Sequence, residues 1–154
     1  MKRILTIFFL LIVAGAQAQK MSQQLALTAM NLWKDSFALQ GDKVAKWRYD
    51  QGVILKGIEG IWNATGEREW FEYIRKSMDF YVREDGTIKG YKQDEFNIDH
   101  VNNGKQLLFL YRVTGKEKYR KAAELLRRQL REHPRTSEGG FWHKKIYTHQ
   151  MWLD

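Results

Sequence analysis

The chain has no cysteine and a single proline in 154 residues. Without cysteine there is no disulfide framework, thiolate metal site, cysteine nucleophile or cysteine-linked lipid anchor. One proline alongside 29% charged residues fits a mostly helical chain better than a turn-rich β protein. Other signatures are missing too. There is no glycine-rich phosphate loop and no Gly-x-Ser-x-Gly elbow. His100, His133, His143 and His149 lack the His-Glu-x-x-His spacing of a metal site, so no metal or cofactor is expected. What is plentiful is apolar residue and positive charge. A hydrophobic fraction of 44% argues against disorder, and the length allows about one domain. Lys and Arg number 26 against 18 Asp and Glu, a net charge of +8. The cations are spread over helix faces rather than gathered, so no nucleic-acid partner is expected; an anionic saccharide is the more economical one.

Lys2 and Arg3 precede an apolar run over 4–14 that only Thr6 interrupts, followed by Gly15-Ala16-Gln17-Ala18. A basic start, a short apolar stretch and an Ala-x-Ala site read as a secretory signal peptide cleaved after Ala18. This divides the chain into 1–18 and 19–154. Spanning a bilayer takes about 20 apolar residues, so no stable membrane insertion is expected after cleavage; an uncleaved anchor is the alternative. Losing Lys2 and Arg3 would take the net charge from +8 to +6. An exported protein without cysteine suits a bacterial periplasm or the cell exterior.

The remainder repeats. Trp62-Asn63-Ala64-Thr65-Gly66 is answered by Tyr111-Arg112-Val113-Thr114-Gly115, 49 positions on. The same displacement maps Trp70, Tyr73, Ile74, Ser77 and Tyr81 onto Tyr119, Ala122, Ala123, Leu126 and Leu130. Steps of three, one, three and four trace one face of an α-helix. Each Thr-Gly falls where a helix should stop, and Glu67-Arg68-Glu69 and Lys116-Glu117-Lys118 should open the next helix with solvated side chains. Each unit is thus an antiparallel helix pair. Its first helix, about 50–64 and 99–113, is apolar over much of its circumference and should be inner. Its second carries one apolar stripe and should be outer. An earlier outer helix is expected over about 21–39, with Leu25, Leu32 and Trp33 facing in. Stacked pairs form an open solenoid or a closed α/α toroid. Long Gly- and aromatic-rich connections at 85–91 and 137–144 favour the all-α toroid.

An acidic residue opens each inner helix: Asp50, Asp99 and Asp154. Each could be a simple N-terminal cap. Gathered round one cavity mouth, like charges would instead raise one another's pKa and divide into a proton donor and an ionised partner. Aromatics crowd the same places, among them Trp47, Tyr49, Tyr91, Phe96, Trp142, Tyr147 and Trp152. They are either core plugs or platforms for sugar rings.

Gly139-Gly140-Phe141-Trp142-His143-Lys144, continuing to Trp152-Leu153-Asp154, resembles the signature of glycoside hydrolase family 105, the unsaturated rhamnogalacturonyl hydrolases. Trp47-Arg48-Tyr49-Asp50-Gln51-Gly52 and Asn97-Ile98-Asp99 resemble that family's inner-helix starts. The resemblance implies an (α/α)6 toroid of six hairpins that removes 4,5-unsaturated galacturonate from rhamnose. The substrate would be an acidic unsaturated oligosaccharide, and pectin degradation the setting. In such chemistry an acid protonates C4, water adds at C5 and the hemiketal collapses; no glycosyl-enzyme intermediate forms. The resemblance assigns Asp154 as general acid and then base, and Asp99 as its second carboxylate. It places Lys144, His143, Trp152, Trp142 and Tyr49 around the sugar, with Lys144 opposing the uronate carboxylate.

Two complete pairs, one earlier helix and a stub at Asp154 amount to about half a toroid. The expectation is a truncated N-terminal part, inactive alone, with apolar inner faces open. Two other readings compete: an unsaturated glucuronyl hydrolase of glycosaminoglycan fragments (family 88), and a helical-repeat scaffold that binds without chemistry.

Overall fold

The computed structural model describes residues 20–34 and 44–152. Helix α1 is helical over 20–32. Then follow α2 (Tyr49–Thr65), α3 (Arg68–Asp79), α4 (Gly104–Thr114) and α5 (Glu117–Glu132), with 3₁₀ turns at Gln93–Glu95 and Ile98–Val101. Among the described residues there is no strand; two isolated antiparallel bridges, Val82 with Ile88 and Arg135 with Phe141, close the loops after α3 and α5. The expected cleavage site and the proposed acid Asp154 lie outside the described residues.

The duplication holds at the level of atoms. Gly66 and Gly115 end α2 and α4 with φ of 69° and 67°, and their N–H groups donate to Trp62 O and Tyr111 O, each at 2.8 Å. The Thr65 hydroxyl donates to Ile61 O and accepts from the Glu67 N–H. Thr114 does the same with Leu110 O and Lys116 N–H. A left-handed residue satisfies the last helical carbonyls and reverses the chain, and glycine takes that conformation without a Cβ clash. So α2 packs on α3 and α4 on α5 as two hairpins.

The outer helices bury single stripes, Trp70-Tyr73-Ile74-Met78 on α3 and Tyr119-Ala122-Leu126 on α5. These meet Leu55 and Ile58 of α2 and Leu107 and Leu110 of α4 in one core. At the far end Trp62 meets Phe109 edge-on at 5.2 Å and joins the hairpins through Phe71.

Four expectations need correction. Helix α4 starts at Gly104 rather than Asp99, because Ile98–Val101 forms a separate 3₁₀ turn and Asn102-Asn103 intervenes. Asparagine favours turns over helix interiors. Nor does Asp99 cap a helix: its own N–H donates to the Asn97 side chain at 3.1 Å. Lys118 is not solvated. Its side chain is 8% exposed, with Nζ 2.9 Å from Asp79 and 2.8 Å from Glu84, a charged bolt between the hairpins. Tyr119 O–H also donates to Asp79, at 2.6 Å. Finally, α1 turns Ala26, Met30 and Trp33 to the core, while Leu25 and Leu32 stay 72% and 69% exposed. The leucines share an apolar groove with Val53, Ile54 and Ile61 of α2. The stripe with four-then-three spacing is the one in contact, because α1 packs beside α2 rather than over it.

Candidate active site

The site grows from one short turn. The Asn97 carbonyl and side chain organise Ile98–Val101, so that Asp99 projects from a rigid 3₁₀ turn rather than a frayed helix end. The aromatic-rich loop 141–152 is then fastened across it by two backbone bonds. Ile98 N–H donates to His143 O and Lys145 N–H to Glu95 O, each at 3.0 Å. The loop also closes on itself, His143 N–H to Gln150 O at 2.7 Å and Tyr147 N–H to Lys144 O at 2.9 Å. This clasp brings two cationic-type side chains to one carboxylate oxygen. Lys144 Nζ is 3.3 Å and His143 Nε2 3.5 Å from Asp99 Oδ2.

The His143 ring is buried and stacked at 3.8 Å under Trp152, with Tyr147 and Trp152 parallel at 5.6 Å. Stacking fixes the imidazole plane, and with it the direction of Nε2.

Asp99 and Lys144 open into a cleft of about 490 Å³, larger than one sugar ring needs. Lys46, Trp47, Arg48 and Tyr49 form one wall; Asn97, Asp99, His100 and Lys144 form the other, with Lys89 and Glu95 at the rim. Lys46, Arg48, Lys89 and Lys144 line the cleft together with Glu95 and Asp99; Lys144 pairs with Asp99 and Arg48 with Asp50. The first wall is held from behind. Trp47 Nε1 donates to His100 O at 2.8 Å, Asn103 Nδ2 to Arg48 O at 2.9 Å and Tyr81 O–H to Lys46 O at 3.2 Å. Burial pushes the Tyr81 phenol up to about 12, so it remains a donor at neutral pH.

Of the residues expected around the sugar, Asp99, Lys144 and Tyr49 line the cleft; His143 lies beside Asp99 without a hydrogen bond from its Nε2 and carries Trp152 on its ring. Trp47 resolves as a core plug. Trp142 does not join the cleft. Its ring lies edge-on to His149 at 4.8 Å, and its backbone ties the loop to Pro134, so it shapes the loop rather than offering a platform. Asp50 turns to Arg48, 3.7 Å away, and its Oδ1 accepts from Gln51 N–H at 3.0 Å. Of the three acids expected to gather, Asp50 is turned to Arg48 and Asp99 is met by Lys144, while Asp154 lies outside the described residues.

Sequence reasoning passed over His100, which it weighed only as a metal ligand. Burial holds its imidazole below the ordinary value, with Lys144 pushing the same way and Glu95 and Asp99 opposing. It is a neutral hydrogen-bonding group in the wall, Nε2 being 3.1 Å from Asn97 Nδ2. Its position next to Asp99 was the signal. Among the described residues no group of three or more His, Asp or Glu is placed to hold a metal ion. No described helix is long and apolar enough to cross a membrane.

Comparison with known proteins places the chain in a family. Residues 21–154 match the family model described as Glycosyl Hydrolase Family 88. Over 114 residues the chain is 30% identical to "Unsaturated rhamnogalacturonyl hydrolase YesR" of Bacillus subtilis (strain 168), covering 70% of this chain and 31% of that protein. A solved glycoside hydrolase from family 105 of C. acetobutylicum ATCC 824 superposes with a TM-score of 0.74 at 44% identity, covering 84% of this chain and 34% of that one. The chain thus spans about a third of the length of either relative. The stacked hairpins are a part of an α/α toroid.

Proposed function

The chain belongs to Glycosyl Hydrolase Family 88, and from that premise we propose that it forms the uronate-binding part of an unsaturated glycuronyl hydrolase acting on rhamnogalacturonan fragments. One observation carries the reading: Asp99, His143 and Lys144 converge at the edge of a cation-lined cleft. The name of the Bacillus relative supports the choice of substrate.

In the proposed reaction Asp154 gives its proton to C4 of the C4–C5 double bond, and positive charge develops at C5 and the ring oxygen. Water adds at C5 as the same carboxylate, now a base, takes the water's proton back. The hemiketal opens and the aglycone leaves with its oxygen. For this, Asp154 must hold a proton at neutral pH. Lys144 would bridge Asp99 and the uronate carboxylate. Export, with a mature chain starting at residue 19, belongs to the same proposal, since such oligosaccharides arise outside the cytoplasm.

Turnover is followed as the loss of ultraviolet absorbance when the conjugated uronate is hydrated. Asp154→Asn is expected to abolish it with helical circular dichroism unchanged; full turnover by that variant would reject the assignment. A second reading, an unsaturated glucuronyl hydrolase for glycosaminoglycan fragments, is compatible with the family match and with the cations that line the cleft. A substrate panel separates the two by kcat/KM.

A further inference from the structure

The segments bearing the site residues do not touch by chance. Behind the cleft, one side chain in the last turn of α5 and one from the residue that follows the helix bind both of them. Gln129 is fully buried, and its Nε2 donates to Asn97 O at 2.9 Å and to His133 Nδ1 at 3.3 Å. Its Oε1 accepts from Tyr91 O–H at 2.8 Å. His133, 4% exposed, uses Nε2 toward Trp142 O at 2.8 Å. A carbonyl only accepts, so the His133 proton sits on Nε2 and Nδ1 is the acceptor for Gln129. Each hydrogen-bonding atom of the two side chains except the second Gln129 lone pair is thereby used. The chain runs Tyr91, Gln129, then outward to Asn97 and, through His133, to Trp142. Asn97 holds the N–H of Asp99, and Trp142 directly precedes His143 and Lys144.

The packing is as specific as the bonding. Phe96 and Phe141, from the two site segments, meet the His133 ring edge-on at 5.6 and 5.3 Å. Phe96 is held there at φ 42°, a conformation that a bulky residue adopts only when its surroundings require it.

We infer that Gln129 and His133 are positioning residues of the cleft, setting the reach of Lys144 and His143 to Asp99 by clamping the 96–99 turn and the 141–144 loop onto one end of α5. Neither touches the cleft. Their effect on a ligand would pass through Asn97 and Trp142. The inference concerns the geometry of the site, and its ligand arm rests on the functional reading above.

Two substitutions test it on the purified chain. His133→Phe keeps an aromatic ring between Phe96 and Phe141 but removes the donor, and Gln129→Met keeps the volume without the amide. Amide hydrogen exchange at Ile98 and Lys145, whose bonds join the segments, should accelerate about tenfold in each, with Leu55 and Ile74 unchanged. His133→Gln, which restores a donor, should recover part of the protection. Unchanged exchange at those two amides, or an equal rise everywhere, would overturn the inference. In the second arm, affinity for an unsaturated galacturonyl–rhamnose disaccharide is measured by calorimetry. His133→Phe should weaken it about tenfold in the native background and less than about twofold with Lys144→Gln present. Equal losses in both backgrounds would mean a merely structural role. Failure of the unsubstituted chain to bind the disaccharide would count against the functional reading alone, because the exchange arm still decides the clamp.

Discussion

At Asp99 a single carboxylate oxygen faces an ammonium and an imidazole edge within 3.5 Å. What looks like an N-terminal cap by residue type is instead a group whose backbone is capped by a neighbour, Asn97, leaving its side chain free to turn toward the cleft. Gly52 shows a comparable constraint from the other side of the mouth. A Cβ there would run into Asn102 Oδ1 and Asn103 Oδ1, and Asn103 is the residue that holds Arg48 O. Gly52→Ala should therefore cost about 1–3 kcal/mol, because the obstructing atoms belong to short side chains that cannot move aside. A urea melt checks this. Relief of the loss by Asn102→Ala in the same background would identify the clash as its cause.

Between elements, the duplicated hairpin makes a quantitative claim. Gly66 and Gly115 have the same left-handed φ and the same bond to the carbonyl four residues back, and neither would place a Cβ within 4 Å of another atom. Gly66→Ala and Gly115→Ala should then each cost about 1–2 kcal/mol through backbone conformation alone, and by nearly equal amounts. Thermal melts of the two variants compare them directly; a cost confined to one would mean that the hairpins are not energetically equivalent. The contact between hairpins is less regular. Lys118 was expected in solvent because it follows the turn in a charged Lys-Glu-Lys run. It is buried because Asp79, at the end of α3, and Glu84, in the loop beyond, provide compensating charge across the seam. Burial opposes ionisation of Asp79, but the Tyr119 hydroxyl, Lys118 and Arg75 outweigh it and hold that carboxyl below its ordinary value.

For the molecule as a whole, protons and apolar surface set the conditions under which it holds together. Burial depresses the pKa of both His133 and His100 in the folded chain. The unfolded chain then binds more protons near the unperturbed value of about 6.5. The stability these neutral histidines contribute is fully present above that pH and declines as pH falls below it. Asp79 adds a further loss below about pH 4, the ordinary carboxylate range. The urea midpoint should thus be lower at pH 5.5 than at 7.5, and His133→Phe should reduce the difference; an undiminished difference would show that His133 does not titrate with folding. Meanwhile Leu25, Leu32, Val53, Leu108 and Val113 remain exposed on α1, α2 and α4. Apolar surface of this extent on inner and flanking helices is what a packed neighbour would cover.

Much of this was legible in the residues themselves. The 49-residue repeat, the Thr-Gly helix ends, the inner and outer helices and the Gly- and aromatic-rich connection at 137–144 all follow from periodicity, composition and turn chemistry, which are local properties of the chain. Family resemblance in the 97–99 and 139–154 segments pointed to Asp99, Lys144 and His143, and the structure brings these three together. The fate of Trp142, the burial of Lys118, the true start of α4 and the support given by Gln129, His133 and His100 were decided only in three dimensions. Each depends on which distant group arrives to satisfy a charge or a hydrogen bond. A polar residue's partner is not encoded in its neighbours along the chain; it is supplied when the hairpins stack.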